Sequence, residues 1–542
     1  MANALYFGDN LDVLRESIKD ESVDLIYLDP PFNSNATYNV LFKTPKGHQS
    51  DAQIEAFDDT WHWGPHAEAA FAALMHQPNT DVAEVVRALR AVLGDNDMMA
   101  YLAMMAIRLL ELHRVLKPTG SLYLHCDPTA SHYLKFVLDQ VFGVENYRSE
   151  IIWKRYGAHN DSKTYGAVHD TIFFYTKTGN FIFNKQYEAH TDAYVEERFR
   201  FADPDGRRWA EQNLASPNPR PNLTYPFLAK NGITYQPPVN GWKSSLERMT
   251  RLDAEGRLHY PKKQDGRLRL KSYLDELPGL AAQDIWTDLT AIGGTSPERL
   301  GYPTQKPLAL LERIVAASSN EGGVVLDPFC GCGTAVHAAE KMKRRWIGID
   351  VTHLAVSLIE KRMKDAFPDI QFEVHGTPKD FDGARNLALR DKYQFQWWAC
   401  SLVNAQPFQG KKKGADSGID GLIYFQDDDK LPKKIVVSVK GGENVSVAMV
   451  RDFAHVIDRE KAAMGFFVTL TDPTKHMVTE GVGTGYYTSP LTGANFPKLQ
   501  VLTIEGLLSG KERANYPRMD AGGLTFKKAK KEEAAPEQKK LI

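Results

Sequence analysis

Cysteine is scarce: the 542 residues include four, Cys126, Cys330, Cys332 and Cys400. They supply neither a disulfide framework nor a paired CxxC metal pattern. No apolar run approaches the ~20 residues needed to span a bilayer. The N-terminus lacks the basic-then-apolar pattern of a secretory signal, and the expected compartment is the cytoplasm. Excess charge is missing too: the formal net charge is −2, which neither points to a polyanionic partner nor excludes one. There is no GxxxxGK[ST] loop, so the chain is not itself a P-loop translocase. No internal repeat is present.

A chain of this length holds two or three domains, each able to bury its own core. Residues from about 1 to 375 alternate strand-like and helix-like segments, the signature of an α/β sheet. Strands are predicted at Asp24–Leu28, Ser121–His125, Ile151–Lys154, Thr171–Tyr175, Val324–Leu326 and Trp346–Ile349. Between them lie helical stretches, among them Met98–Leu116, Ser131–Phe142, Leu308–Ser318, Ala335–Lys343 and Thr352–Ala366. Lys117-Pro118-Thr119-Gly120 reads as a helix stop followed by a turn. The rhythm breaks between about Asn184 and Gly301, a stretch rich in Pro, Gly, Asn, Arg and aromatics that reads as an irregular insert. From Arg148 to Lys271 there are 21 Lys and Arg against 14 Asp and Glu. That basic, aromatic-laced stretch is either a phosphate-contacting surface or simply a solvated face. A further domain begins near Gly383, with a helix-like Asn386–Ala405, a loop at Gly410–Ser417, and strands at Gly421–Phe425, Ile435–Val439 and Gly465–Thr469. Residues 526–542 are rich in Lys, Glu and Ala, and are expected to form a disordered tail.

Two short segments nearly 300 residues apart carry the chemistry. Val324-Val325-Leu326 runs into Asp327-Pro328-Phe329-Cys330-Gly331-Cys332-Gly333-Thr334. This is a strand, a tight turn and the start of a helix. Gly331 and Gly333 let backbone approach a ligand closely, and the helix start offers unpaired N–H groups. Asp350 ends the next apolar strand, about 20 residues on, the spacing at which an acidic side chain meets a ribose hydroxyl. Glycines alone would serve a dinucleotide site equally well. The second segment, Asp29-Pro30-Pro31-Phe32, follows the apolar run Val23–Leu28. Two prolines stiffen the backbone and remove donors, leaving carbonyls and the acceptor-only Asp29 carboxylate. Taken alone it is a turn after a strand.

Together the motifs resemble the loops of DNA adenine-N6/cytosine-N4 amino-methyltransferases, specifically the β class, in which the catalytic loop precedes the cofactor loop. Tyr302-Pro303-Thr304-Gln305-Lys306-Pro307 and Gly8-Asp9-Asn10 fit the same pattern. So do Ser121–Asp127, Ile151–Arg155 and His169–Tyr175, which resemble modification subunits of type III restriction systems. The match covers about residues 5–365. It implies a doubly wound, Rossmann-like class I methyltransferase sheet formed by 1–183 and 302–380, interrupted by a target recognition insert at 184–301. The implied cofactor is S-adenosylmethionine, held by Asp9, Thr304, Gln305, Lys306, Pro307, Asp327, Phe329, Gly331, Gly333, Thr334 and Asp350. A capping or turn role for Asp9 is equally open. The implied catalytic residues are Asp29, Pro30, Pro31 and Phe32. Asp29 and the Pro30 carbonyl would grip an exocyclic amine while Phe32 stacks on a flipped base. Asp at the first catalytic position favours adenine-N6 over cytosine-N4. The implied partners are double-stranded DNA, a second copy in a homodimer, and a restriction or defence system; no membrane is implied. His125, Cys126 and Asp127 form either a metal cluster or pocket packing.

Downstream, Asp416–Ile423 and Ile435–Gly442 form adjacent strands carrying Asp420 and Lys440. They resemble the Mrr-like branch of the restriction-endonuclease fold, a PD-(D/E)XK-like α/β domain over 385–515. In that fold an Asp and a Glu or Gln hold Mg²⁺ while Lys orients the attacking water. Ser438 stands where Glu or Gln is expected. Three readings remain: a Mg²⁺-dependent nuclease with Asp420 as a ligand, a DNA-binding relic, or chance resemblance.

Overall fold

The computed structural model describes residues 2–31, 37–43, 49–58, 63–157, 164–261, 266–294, 296–300, 302, 304–408, 418–427, 432–517, 525 and 529–532. The chain divides into two compact units, Met1–Asn184 with Asp284–Ile542, and Lys185–Gln283.

The first unit contains a nine-stranded sheet built from β1 (Ala4–Phe7), β2 (Val23–Leu28), β3 (Leu116–Cys126), β4 (Tyr147–Lys154), β5 (His169–Thr176), β6 (Ile285–Trp286), β7 (Val324–Asp327), β8 (Arg345–Asp350) and β9 (Glu373–His375). Their order is β6-β4-β5-β3-β2-β7-β8-β1-β9. β5 runs antiparallel to both neighbours, and the other pairings are parallel. The helices that position the site are α1 (Asn10–Ser17), α2 (Asp97–Val115), α3 (Pro128–Phe142), α4 (Leu308–Ser318), α5 (Thr334–Lys341) and α6 (His353–Ala366). Every residue of β2 is buried, which is why it reads as an unbroken apolar run. Ile26 and Leu28 pack with Leu102, Leu109 and Val137 on one face. Leu25 and Tyr27 pack with Leu310, Ile314 and Ile359 on the other. Asp24 is the exception in this strand. Its Oδ2 accepts from Val324 N and from Lys117 Nζ, both at 2.8 Å, so the buried carboxylate is satisfied. Among the described residues no helix is long and apolar enough to cross a membrane.

Three sequence expectations are corrected. Lys117–Gly120 is not a turn: α2 ends at Val115 and the chain enters β3 directly at Leu116. Pro118 stops the helix but is compatible with extended backbone. The insert closes earlier than Gly301, because β6 rejoins the sheet beside β4 and Trp153 Nε1 donates to Leu289 O at 2.7 Å. Nor is the insert irregular. Lys185–Gln283 holds a four-stranded antiparallel sheet and its own core of Leu214, Phe227, Trp242 and Met249.

Downstream, the long helix expected at Asn386–Ala405 is two, α7 (Phe381–Arg390) and α8 (Lys392–Leu402). Asp391 takes up extended backbone between them and caps α8 by accepting from Tyr393 N and Gln394 N. A five-stranded sheet follows, in the order β10 (Gln406–Pro407), β11 (Gly421–Phe425), β12 (Lys433–Lys440), β13 (Met464–Thr469) and β14 (Leu499–Thr503). Gln394 Oε1 accepts the backbone N–H of His353 at 3.0 Å, joining α8 to the start of α6. Of the expected tail, residues 529–532 are described. Glu532 N donates to Ala366 O at 3.0 Å, and its carboxylate pairs with His337 and Lys341. The rest of that tail lies outside the described residues.

Candidate active site

Open α/β sheets bind ligands beyond the carboxyl ends of their parallel strands. Here those ends carry Gly8 and Asp9 after β1, Asp29–Pro31 after β2, Asp327–Thr334 around the end of β7, and Asp350 at the end of β8. Except for Gly333, all border one cavity of about 380 Å³, together with Thr304, Gln305 and Lys306. Thus Asp9, Asp29, Pro30, Pro31, Thr304, Gln305, Lys306, Asp327, Phe329, Gly331, Thr334 and Asp350 lie around one space. Pro307 and Gly333 do not line it. Pro307 occupies the N-cap of α4, and Gly333 packs inward. At φ +77°, a Cβ on Gly333 would sit 2.9 Å from Ile359 Cγ1. Phe32 lies outside the described residues.

The glycine turn is held from several sides. Asp350 Oδ2 accepts from Gly331 N at 2.9 Å, and its Oδ1 accepts from Thr352 N and Thr352 Oγ1 at the same distance. Burial outweighs these bonds and pushes the Asp350 carboxyl up to about 6. Asp327 accepts from Phe329 N at 3.0 Å. Burial, with Asp29 and Asp350 close by, holds its carboxyl well above the usual carboxylate range. Gly331 has φ +53°, and a Cβ there would lie 3.2 Å from the Tyr302 ring. Behind the turn the buried Arg362 donates Nη1 to Cys332 O at 3.0 Å and to Thr334 Oγ1 at 3.1 Å, and Nε to His337 Nδ1 at 3.1 Å.

Asp9 takes the capping role left open above. It caps α1, accepting from Leu11 N at 2.8 Å, and it borders the cavity. Arg108 fixes it, with Nη2 at 2.9 Å from both carboxylate oxygens. The same guanidinium donates Nε to Asn10 Oδ1 at 2.6 Å, and Asn10 Nδ2 donates to Pro328 O at 2.8 Å. Arg108 was not singled out in the sequence, and Asn10 and Tyr302 entered there only as members of quoted motifs, with no role assigned. For Arg108 a signal existed: it is a lone charge inside the apolar run Met104–Leu110 of a buried helix.

On the Asp29 side of the cavity, Lys306 Nζ pairs with Asp29 Oδ2. Tyr27 borders the cavity below it, its hydroxyl 2.9 Å from His125 Nδ1. His125, Cys126 and Asp127 are not a metal cluster. His125 bonds Tyr27 and Asp170, Cys126 is buried, and Asp127 caps α3. Among the described residues no group of three His, Cys, Asp or Glu is placed to hold a metal.

The C-terminal strands bring Asp420, Ser438 and Lys440 close in the fold but do not fit a Mg²⁺ centre. Asp420 Oδ2 accepts from Val439 N at 2.6 Å, and Ser438 Oγ donates to it at 3.4 Å. A hard divalent cation needs several oxygen ligands with carboxylates among them. Here a hydroxyl stands in for the second carboxylate and backbone engages the first.

Comparison with known proteins agrees with this division of the chain. Residues 402–486 match the family described as NACHT-associated inactive restriction endonuclease 1. The type II methyltransferase M.EcaI of Enterobacter cloacae is 27% identical over 368 residues, which are 67% of this chain and 69% of that protein. The StyLTI Mod subunit of a type III restriction-modification enzyme, from Salmonella typhimurium, is 26% identical over 349 residues, 62% of this chain but 49% of its own length. Among solved structures, the M1.HpyAVI–SAM complex aligns with 66% of this chain and 98% of its own, at 15% identity and a TM-score of 0.29. Residues 23–361, which hold both loops and the sheet between them, match the DNA methylase family N6_N4_Mtase, and the chain belongs to that family.

Proposed function

We propose that this chain transfers a methyl group from S-adenosylmethionine to the exocyclic N6 of adenine in double-stranded DNA, with cytosine N4 as the alternative target. The observation that carries the reading is the meeting of Asp29-Pro30-Pro31 and Asp327–Thr334 on one cavity. The cavity fits the cofactor in donor chemistry as well as size. Carboxylates at Asp350 and Asp9 suit hydroxyl and amine donors, and 380 Å³ lies within the range of small-molecule sites. When bound, the cofactor supplies an electrophilic methyl group. Asp29 and the Pro30 carbonyl accept the two N–H bonds of the target amine, which draws its nitrogen out of conjugation with the ring and aims its lone pair. Lys306 does not block this, because a carboxylate has lone-pair positions beyond the one it engages. The rate gain is positioning and electrostatics. The base reaches the cavity by flipping out of the duplex, and the basic Lys185–Gln283 unit supplies phosphate and base contacts.

The test is incubation with duplex DNA and isotopically labelled cofactor, followed by nucleoside mass spectrometry. N6-methyladenine is the expected product. N4-methylcytosine would replace the base assignment, and no labelled base would overturn the reading.

Asp350 sets a pH dependence. Its carboxyl binds a proton more tightly in the folded state than in the unfolded one, where the ordinary value is 3.8. Its contribution to stability therefore falls as pH rises from about 4 to about 6. Cofactor binding runs the other way, because an ionised Asp350 is the better acceptor. Cofactor affinity should weaken as pH falls through about 6, and Asp350→Asn should flatten that limb in calorimetric titrations.

The C-terminal domain acts without cutting. Unmethylated duplex DNA incubated with Mg²⁺ should stay intact on gels, and Asp420→Ala should change nothing. Cleavage by the wild type that Asp420→Ala abolishes would restore the nuclease reading.

A further inference from the structure

A line of polar groups, three of them buried, runs from the end of β4 across β5, β3 and β2 and ends at the cavity. It begins with Arg155, just past β4. Arg155 Nε pairs with Asp170 Oδ1 of β5 at 3.1 Å. Asp170 Oδ2 lies 3.0 Å from His125 Nε2 of β3, and His125 Nδ1 lies 2.9 Å from the Tyr27 hydroxyl of β2. His125 and Asp170 are fully buried, and Tyr27 is 2% exposed. Such a chain is costly to bury and is not needed to pair these strands, whose apolar neighbours already fill both faces.

The hydrogen positions follow from chemistry. The Asp170 carboxylate only accepts, so His125 carries its proton on Nε2 and presents Nδ1 as an acceptor. The Tyr27 hydroxyl must then donate to His125, which leaves Tyr27 offering lone pairs alone to the cavity. The His125 bond helps hold the Asp170 carboxyl below the usual range against the opposing effect of burial. Burial and the nearby Asp29, Asp327 and Asp170 carboxylates hold the Tyr27 phenol well above its ordinary value, so it rests neutral.

Resting on the methyl-transfer reading above, we propose that Tyr27, His125 and Asp170 form a buried relay that takes up the proton shed by the target amine. As the nitrogen forms its bond to the methyl carbon, the carbon–sulfur bond breaks and its electron pair stays on sulfur. As the methylated amine loosens its bond to Asp29, the N–H proton freed there passes to Tyr27 Oη while the phenol's own proton passes to His125 Nδ1. The imidazolium so formed faces Asp170, whose carboxylate stabilises it. When product leaves and water enters the cavity, the proton returns along the same path to solvent. Arg155 limits the negative charge on Asp170 and so keeps it from holding the proton. The charged groups facing the relay are Asp29, Asp327, Lys306 and Arg155.

The decisive variant is Tyr27→Phe, which removes one oxygen and keeps the ring. It should lower kcat by about 10- to 100-fold, the range of general acid–base effects, with KM for DNA and cofactor dissociation nearly unchanged. The loss should be greatest at low pH, where solvent base is scarce. Tyr27→Phe with wild-type kcat between pH 6 and 9 overturns the relay. If the wild type itself forms no methylated base, the functional reading fails instead. A readout independent of turnover is ¹⁵N-imidazole NMR of the wild-type protein. His125 should show a protonated Nε2 and a bare Nδ1, and the opposite tautomer overturns the proposal even if Tyr27→Phe fails to fold.

Discussion

Asp29→Ala is expected to lower kcat for methyl transfer by about 10²–10³-fold, the usual cost of deleting one preorganised electrostatic partner of a reacting group. The side chain borders the cavity and is paired with Lys306. Its removal takes away one of the two acceptors that would hold the amine and leaves the Lys306 cation bordering the cavity proposed for the cofactor. Cofactor binding should therefore weaken modestly, and chemistry far more. Asp29→Asn keeps the shape and one acceptor oxygen but introduces donors, so it should fall between the wild type and Asp29→Ala. The measurement is single-turnover methyl transfer with saturating cofactor, alongside direct cofactor titration. If Asp29→Ala transfers methyl groups at the wild-type rate, the role given to this loop is wrong.

Arg362→Met carries the second large effect, and it acts through structure. The guanidinium holds three groups at the back of the glycine turn, the Cys332 carbonyl, the Thr334 hydroxyl and His337 Nδ1. Methionine of similar length fills much of the volume and leaves all three without this donor. Charge-assisted bonds contribute about 1.5–3 kcal/mol each. With some return from burying methionine in place of a cation, a net loss of about 2–4 kcal/mol is expected. The turn is the cavity wall, so the cofactor dissociation constant should rise at least tenfold even in the fraction that folds. Chemical denaturation and isothermal titration read the two effects separately. A denaturation midpoint equal to wild type, with unchanged cofactor affinity, would show that the turn is held by other means.

Both predictions concern loops that wall the same cavity, yet the sequence exposes them unequally. Asp29-Pro30-Pro31 and Asp327–Thr334 are contiguous strings following apolar strands, and contiguity is what a linear reading sees. Arg362 lies 28 residues beyond Thr334 on an amphipathic helix, where an Arg is ordinarily a solvated charge. Nothing local says that it points inward. Arg108 is a milder case, because a single charge inside an apolar helix is anomalous by itself. The break at Asp391 was missed because its flanks are both helical in composition. The early end of the insert was missed because Ile285–Trp286 is too short to read as a strand. It becomes one only when β4 supplies a hydrogen-bonding partner, since strand pairing is non-local.

What the sequence determined by itself was the alternation of elements, the two loops, their order, and the missing carboxylate at Ser438. Each is written in side-chain type and spacing along a few residues. Tertiary structure alone decided that both loops, Asp9 and Thr304–Lys306 border a single cavity, that Arg108 and Arg362 brace it, and that Tyr27, His125 and Asp170 join hands across three strands. Those arrangements depend on the strand order β5-β3-β2-β7-β8-β1, which places residues up to about 340 positions apart side by side. Crossover connections fix that order, and the pattern of a single strand carries no record of which strand lies next to it.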